Sequence, residues 1–337
     1  MTIKNLLAGT ALGLAGTLAF SVPGQAQQAL KFATVAPEGS VWYAMMTNFR
    51  DLVAQHSEGA LSVELFPGGQ LGAQDATLSQ ALRGRIEIWS GGIVALAAIK
   101  PELSPLLFPG VFQSDAQAAC MLPLLEEPTR EVLADVGYFA GFVPLGWNNM
   151  ASVNELGSLD DIAGQNMRSL PIPVAVQFWQ AMGTTPVPLD TAETASALST
   201  GMVTLVDTAM AFWVATGHAE LAPHYYLTQH NYNVGAVLVG GRTWEGLAEG
   251  PRAALAQASD EGWDWARLNA MYSGFEARLT EIAGSQGATI HELSAEDRAR
   301  VQAAGQALWE PLLAELGDGA RAYLDTMLAV RETCPAE

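Results

Sequence analysis

The chain has 337 residues, of which 35 are acidic and 16 are Lys or Arg, so its formal net charge is −19. Such an acidic chain, with no run of basic residues, is repelled by nucleic acid and by anionic membrane surfaces, which excludes both as partners. The chain is longer than a domain with a single hydrophobic core usually is, and we therefore expect two lobes.

The first 26 residues read as a secretory signal peptide. Lys4 precedes an apolar run over residues 6–20, and residues 23–26 supply small residues for a peptidase before Gln27. The apolar run is too short to span a bilayer comfortably, and no later segment approaches 18 uninterrupted apolar residues. The mature protein is thus predicted to be exported to the periplasm without membrane insertion.

The first half of the mature chain predicts a β-α-β unit. Hydrophobicity alternates in residues 30–35 and 61–66, as in strands, and follows helical spacing between them over residues 41–53. Further strands are predicted over residues 85–89 and 137–147. Because strands alternate with helices, the sheets should be mixed and mostly parallel, in an α/β fold.

Helix signals dominate the second half. Asp190 and Glu193 have the spacing of a capping box, which predicts a helix from there to Gly201 and a short strand over residues 203–206. From Pro251 an amphipathic run continues to Ile282, which predicts a helix of roughly 30 residues, longer than one lobe needs at a rise of about 1.5 Å per residue.

A final helical region should follow a cap formed by Ser294 and Asp297.

Several separated motifs occur in a fixed order along the chain. They are LFPGGQLG at residues 65–72, LDDIAGQNMR at 159–168, AMGTTPVPL at 181–189, ALSTGMVTLVD at 197–207 and YLTQH at 226–230. In these the chain resembles the DctP-type solute-binding proteins of tripartite ATP-independent periplasmic (TRAP) transporters. The resemblance implies a two-lobed periplasmic-binding-protein fold with one long helix bridging both lobes. It also implies a receptor without cofactor, which captures a small-molecule carboxylate and delivers it to membrane permease subunits.

Arg168 is the only charge between residues 164 and 189. An unpaired guanidinium costs several kcal/mol to bury, so an anion must accompany it. The resemblance implies that this anion is the ligand carboxylate. An internal salt bridge to a partner such as Asp207 or Glu193 is the alternative.

Further site residues are expected where strands end, because open α/β sheets place ligands at the carboxyl ends of their strands. Trp42, which follows the turn after the first predicted strand, is a further candidate. The predicted ligand-binding residues are Arg168, Trp213, Trp147, Trp89, Phe212, Asn148, Asp207 and Glu38.

The predicted ligand is a monocarboxylate with an apolar or aromatic body. Where many members of the resembled family have polar residues, this chain has TAMAFW at residues 208–213, and residues 147–151 carry no second cation. A zwitterionic compatible solute such as ectoine is the alternative, with its carboxylate on Arg168 and its cation over Trp213. A second alternative is a periplasmic sensor component of the same fold.

An extracytoplasmic hydrolase is the rival class. The chain contains no GxSxG, Walker, GxGxxG or HExxH motif, and no two of its five histidines have the spacing of neighbours on a helix. We therefore predict neither an enzyme nor a metal site. Cys120 and Cys334 form either a disulfide or two free thiols, and the sequence leaves both open.

The predicted domain division gives residues 27–147 and 234–274 to lobe I, and residues 148–233 and 275–337 to lobe II.

Overall fold

The computed structural model describes residues 27–262 and 265–335. The predicted signal peptide, residues 1–26, lies outside these described residues. Strands within them are β1 (Gln28–Thr34), β2 (Leu61–Phe66), β3 (Ile88–Gly92), β4 (Gly137–Ser152), β5 (Asn166–Ser169), β6 (Thr185–Pro188), β7 (Leu205–Ala209), β8 (His224–Gly240) and β9 (Thr289–His291).

Helices cover both sides of the sheet that these strands form. They are α1 (Val41–His56), α2 (Gln74–Leu82), α3 (Ile93–Ile99), α4 (Asp115–Leu133), α5 (Pro173–Ala181), α6 (Thr191–Ser199), α7 (Met210–Ala215), α8 (His218–Leu221), α9 (Gly241–Gly246), α10 (Glu249–Gly262), α11 (Trp265–Ser285), α12 (Ala295–Ala307), α13 (Trp309–Leu316) and α14 (Asp318–Thr333). Two 3-10 helices span Pro101–Leu107 and Leu159–Ile162.

The strands form one mixed sheet in the order β2-β1-β3-β8-β4-β7-β5-β6, with β9 paired to β8. The long strands β4 and β8 run antiparallel along most of their lengths, and they connect the two halves of the sheet. One end of β8 pairs with β3, whereas the far end of β4 pairs with β7. Five of the eight pairings among described strands are parallel, so the predicted mixed α/β fold is confirmed.

Two lobes follow from this arrangement. The first lobe is built on β1–β3 and the second on β5–β7. The first contains two hydrophobic clusters, one around Phe32 and Phe49 and one around Trp89. In the second, one cluster surrounds Trp213 and another surrounds Trp179. The predicted β-α-β unit is the start of the first lobe, where Ser40 caps α1 by accepting a hydrogen bond from the Tyr43 amide at 3.1 Å.

The predicted long helix corresponds to α10 and α11, with residues 263–264 between them outside the described part. Helix α11 packs against α1 and α4 of the first lobe and against α7 of the second. It also contacts β4, where the Tyr272 hydroxyl donates a 2.6 Å hydrogen bond to the Leu145 carbonyl. This close approach requires glycine at position 146, since its φ is +77° and a Cβ there would lie 2.0 Å from the Tyr272 oxygen.

The last two helices, α13 and α14, pack on the first lobe, whereas α12 packs against α5 and β8. Residues 275–337 were assigned to lobe II, but α14 packs against the 3-10 helix Pro101–Leu107 and against α4. Leu312, Leu324 and Met327 are buried in the cluster around Trp89, in the first lobe. The reason is hydrophobic burial, because the apolar faces of α13 and α14 cover first-lobe residues that would otherwise be exposed to water.

The two cysteines are joined. Cys120 on α4 and Cys334, at the end of α14, form a disulfide with a Cα to Cα distance of 5.7 Å. The Gln117 side chain also donates a 3.2 Å hydrogen bond to the Cys334 carbonyl. Both contacts hold the end of the chain to the first lobe.

Candidate ligand-binding site

A cavity lies between the lobes, at the point where β4 and β8 cross from one to the other. Its volume is about 60 Å³. The residues that line it come from α3 and the loop before α4 on the first-lobe side, from α5 and β7 on the second, and from β4 and β8 between them. They are Gly92, Ile93, Val94, Leu107, Pro109, Asn148, Leu170, Ile172, Val174, Ala175, Phe178, Asp207, His230, Asn231, Asn233 and Val234.

Asp207, in β7, is the one carboxylate among these lining residues, and its side chain is 2% exposed. Its Oδ2 accepts a 2.9 Å hydrogen bond from the Trp179 indole. Its Oδ1 lies 3.4 Å from Nε2 of His230, yet no described residue donates a well-oriented hydrogen bond to that oxygen. A buried oxygen without a donor is costly, so a ligand that supplies a donor here would gain from it.

His230, in β8, is held in a fixed orientation beside Asp207. Phe178 stacks on its ring at 4.8 Å, and Trp179 contacts it edge-on at 4.9 Å. Its Nδ1 lies 3.0 Å from the Thr228 hydroxyl, which leaves Nε2 directed toward Asp207. Both aromatic neighbours thus pack the imidazole into the core, and His230 also lines the cavity.

Three asparagines supply neutral polar groups. Asn148 of β4 accepts a 2.7 Å hydrogen bond from the Asn233 side chain, across the β4-β8 pair. Asn231 donates to the Leu107 carbonyl at 2.8 Å and so ties β8 to the first lobe. Polar side chains in the middle of two long, buried strands require partners, and these three obtain them from each other and from the Leu107 carbonyl.

Arg168, in β5, lies behind the wall that Asp207 forms and is 2% exposed. Its Nη1 donates to the backbone carbonyl of Asp207 at 2.8 Å, and its Nε donates to that of Leu189 at 3.0 Å. Its Nη2 donates to the Thr191 hydroxyl at 3.2 Å. Three of the five N–H groups of a guanidinium are thus used within the described structure, and one on each terminal nitrogen remains.

No described carboxylate oxygen lies within ion-pair distance of Arg168. The Asp207 carboxylate faces Trp179 and His230, and the Glu193 carboxylate instead accepts from the Asp190 amide in the predicted capping box. The internal salt bridge considered from the sequence is not formed. Burial lowers the pKa of Arg168, while the negative charges of Asp207 and Asp190 oppose that shift.

The same positive charge reaches His218, the first residue of α8. Burial, together with the Arg168 charge, lowers the pKa of His218. Its Nδ1 is buried and has no hydrogen-bond partner among the described residues. Both Arg168 and His218 thus keep hydrogen-bonding capacity that no described residue uses.

Of the predicted ligand-binding residues, only Asn148 and Asp207 line the cavity in the described structure. Trp89 is fully buried, donates to the Gln74 carbonyl at 3.1 Å and packs over Gly91. Trp213 is also fully buried, where it donates to the Ala222 carbonyl at 3.0 Å and stacks on Tyr225. Both rings are core residues of their lobes.

Trp147 is 3% exposed and donates a 3.0 Å hydrogen bond to Asp115 on the face of β4 away from the cavity. Trp42 is partly buried and donates to the Ser90 hydroxyl at 2.9 Å. Phe212 is half exposed on α7, and Glu38 is exposed in the turn before α1. Neither Phe212 nor Glu38 lines the cavity in the described structure.

Sequence reasoning passed over His230, Phe178, Asn231 and Asn233. Beside a predicted strand, His230 is expected to be a hydrogen-bonded structural imidazole, and the faces of its ring are packed in that way. The signal available was the pattern HNYN at residues 230–233, because polar residues that interrupt a long apolar strand are costly unless they have partners.

Among the described residues, no group of three or more His, Cys, Asp or Glu side chains is placed to hold a metal ion. Nor is any described helix long and apolar enough to cross a bilayer.

The comparisons with known proteins agree with this architecture. Residues 32–316 match the family model DctP, described as bacterial extracellular solute-binding protein, family 7. The chain belongs to this family. Its members are periplasmic solute-binding receptors rather than enzymes, and those of TRAP systems work with membrane permeases.

Individual relatives are distant but match along most of their length. A solute-binding protein of Sulfitobacter sp. is 26% identical, over 87% of this chain and 89% of its own. The C4-dicarboxylate-binding periplasmic protein DctP of Rhodobacter capsulatus is 24% identical, over 98% of each. A solved structure of a TRAP periplasmic solute-binding protein from Ochrobactrum anthropi is 26% identical, has a TM-score of 0.83, and aligns over 91% of this chain and 95% of that one.

Proposed function

We propose that this receptor captures a monocarboxylate with an apolar or aromatic body in the periplasm, closes its lobes over it and delivers it to TRAP permease subunits. The observation that carries the proposal is the isolated charge of Arg168. It is buried, two of its N–H groups remain unused, and no described carboxylate neutralises it at contact distance. A ligand carboxylate would supply the missing anion and accept a bidentate pair of hydrogen bonds.

The apolar body is supported by the cavity wall. Ten of the sixteen lining residues are aliphatic, aromatic or proline side chains, contributed by both lobes. A ligand rich in hydroxyl groups would leave many donors and acceptors without partners against such a wall. An apolar body instead gains from burial there, at about 25 cal/mol per Å² of apolar surface.

Lobe movement is required by the size of the cavity. A volume of about 60 Å³ is well below the roughly 150 Å³ of a cavity that holds benzene, so the lobes must separate for an organic acid to enter. Separation would open a path past Asp207 toward Arg168. A ligand that contacts both lobes then favours the closed state, because only that state makes both sets of contacts.

A zwitterionic solute is the second candidate, and one observation favours it. Asp207 Oδ1 faces the cavity without a hydrogen-bond donor, which suits the cationic group of such a ligand. The cation would then contact Asp207 rather than Trp213, which is buried in the core. Relatives named for their ligands include binding proteins for 2,3-diketo-L-gulonate, C4-dicarboxylates and ectoine, so the family name alone does not choose between the two.

A thermal-shift screen of organic acids and zwitterionic solutes, followed by calorimetry on the best ligand, tests the proposal. Arg168→Lys keeps the charge but loses the planar fork, and should weaken binding about tenfold to a hundredfold. Arg85→Lys, at an exposed position, is the matched control. Unchanged affinity in Arg168→Lys and in Arg168→Ala would refute the role of Arg168.

Asp207→Asn separates the two candidates. Removing this negative charge should leave the affinity for a simple carboxylate unchanged or stronger, because one repulsive charge disappears from the cavity. The affinity for a zwitterion should instead fall at least about tenfold, because its cation loses its partner.

A further inference from the structure

A second chamber adjoins the cavity. Its volume is about 230 Å³. Four residues, Val94, Leu107, Ile172 and Val174, line both spaces, which are therefore direct neighbours. The other residues that line the chamber are Ala97, Ala98, Ser104, Phe108, Pro173, Leu312, Glu315 and Leu316.

The two spaces differ in chemistry. The inner cavity holds all three asparagines together with Asp207 and His230. In the chamber the only polar side chains are Ser104 and Glu315, and Glu315 is exposed on α13 at the outer rim. The chamber is therefore lined by fewer polar side chains than the inner cavity, and one of its two, Glu315, is exposed to water.

Both lobes build the chamber. Helix α3, the 3-10 helix Pro101–Leu107 and α13 supply the first-lobe wall, and residues 172–174 at the start of α5 supply the second-lobe wall. An apolar group in the chamber would thus bury surface against both lobes and add to the preference for the closed state.

We propose that the chamber is a subsite for the apolar end of an elongated carboxylate, whose carboxylate end reaches Arg168 by way of the inner cavity. This rests on the proposed function, because the tail reaches the chamber only from a head bound inside. The volume exceeds the roughly 150 Å³ of an apolar cavity that holds benzene, so an alkyl chain or a phenyl ring fits. The ligand class is an unbranched alkanoate or an arylalkanoate rather than a compact acid.

Calorimetry with acetate, butyrate, hexanoate, octanoate and 4-phenylbutyrate tests the subsite on the full mature protein. Each methylene that enters the chamber should strengthen binding about threefold to fourfold, until the chain emerges at the rim. Ala98→Trp fills the chamber from an exposed position on α3. It should abolish the gain for the longer acids and leave the affinity for the shortest acid that binds unchanged.

Ala314→Trp is the matched control. Ala314 is exposed on α13 but is not among the chamber's lining residues, since it lies on the face opposite Leu312 and Leu316. Ala98→Leu places a smaller side chain at the same position and should remove part of the gain in affinity for the longer acids. This variant keeps the test valid if Ala98→Trp does not fold.

The outcomes separate the subsite from the function. If short acids bind and longer ones gain nothing, or if the gain survives in both Ala98 variants, the subsite is overturned while the receptor function stands. If no acid of any length binds, the proposed ligand class fails and the subsite fails with it.

Discussion

Glu276 provides a direct test of the electrostatics at the junction of the lobes. It lies on α11 beside Tyr272, and burial raises its pKa to about 7, with the charge of Asp115 adding to the shift and a hydrogen bond to Tyr272 opposing it. Burial also raises the pKa of Asp115, against the hydrogen bond that it accepts from Trp147. Two carboxyl groups, one on α4 and one on α11, are thus buried near β4, and the charge of Asp115 acts on Glu276.

The sign of the pH dependence follows from proton binding. Between its ordinary pKa of 4.5 and about 7, Glu276 binds more protons in the folded state than in the unfolded state. Its contribution to stability is therefore fully present below about pH 4.5 and is lost as the pH rises through 7. The difference corresponds to about 3 kcal/mol at most, and to about 1–3 kcal/mol when the partial exposure of the side chain is included.

Glu276→Gln removes the charge and keeps the shape. At pH 8 the ligand-free variant should unfold a few degrees above the parent protein, whereas at pH 4.5 the two should unfold at nearly the same temperature. Glu281→Gln, at an exposed position on the same helix, is the control and should change neither value.

Thermal unfolding followed by circular dichroism at both pH values measures these differences. A Glu276→Gln variant with the parent's pH dependence, or one less stable than the parent at pH 8, would refute this account of the junction.

Two further predictions concern the core. The disulfide closes a loop with a sequence separation of 214. In the chain-entropy description, replacing Cys120 and Cys334 by serine should therefore lower the free energy of unfolding by up to about 5 kcal/mol. Two thiols that can be alkylated in the unreduced exported protein would contradict the bridge. Because Trp213 is fully buried, Trp213→Ala should lower the free energy of unfolding, measured by chemical denaturation, by about 3–5 kcal/mol. The ligand affinity should change by less than about twofold. A loss of affinity at unchanged stability would instead show that Trp213 contacts the ligand.

The elements that the sequence predicted correctly are those with a strong local signal. The β-α-β unit has alternating strands around a capped helix, and the capping box at Asp190 and the N-cap at Ser294 form as expected. Strand β3 begins three residues later than predicted, at Ile88, because the pairing with β1 and β8 selects residues 88–92. Tertiary pairing, which a local pattern does not contain, decided that boundary.

The predicted ligand-binding residues and the residues that line the cavity differ mainly because of the directions in which side chains point. Two residues expected at strand ends, Asn148 and Asp207, line the cavity, but successive residues of a strand point to opposite faces. Asn148 therefore lines the cavity while its neighbour Trp147 packs behind it against Asp115. In the same way, Trp89 and Trp213 satisfy their indole N–H groups on backbone carbonyls inside each lobe. Periodicity does not reveal which face of a central strand meets the other lobe.

Charge balance connects the cavity to its ligand. Arg168 and Asp207 contribute one formal positive and one formal negative charge, so these two charges balance each other. A zwitterion preserves this balance, whereas a monocarboxylate adds an uncompensated negative charge near Asp207. The Asp207 side chain is thus the group that separates the two ligand classes. The apolar walls act equally on both, because they respond only to the surface that a ligand buries.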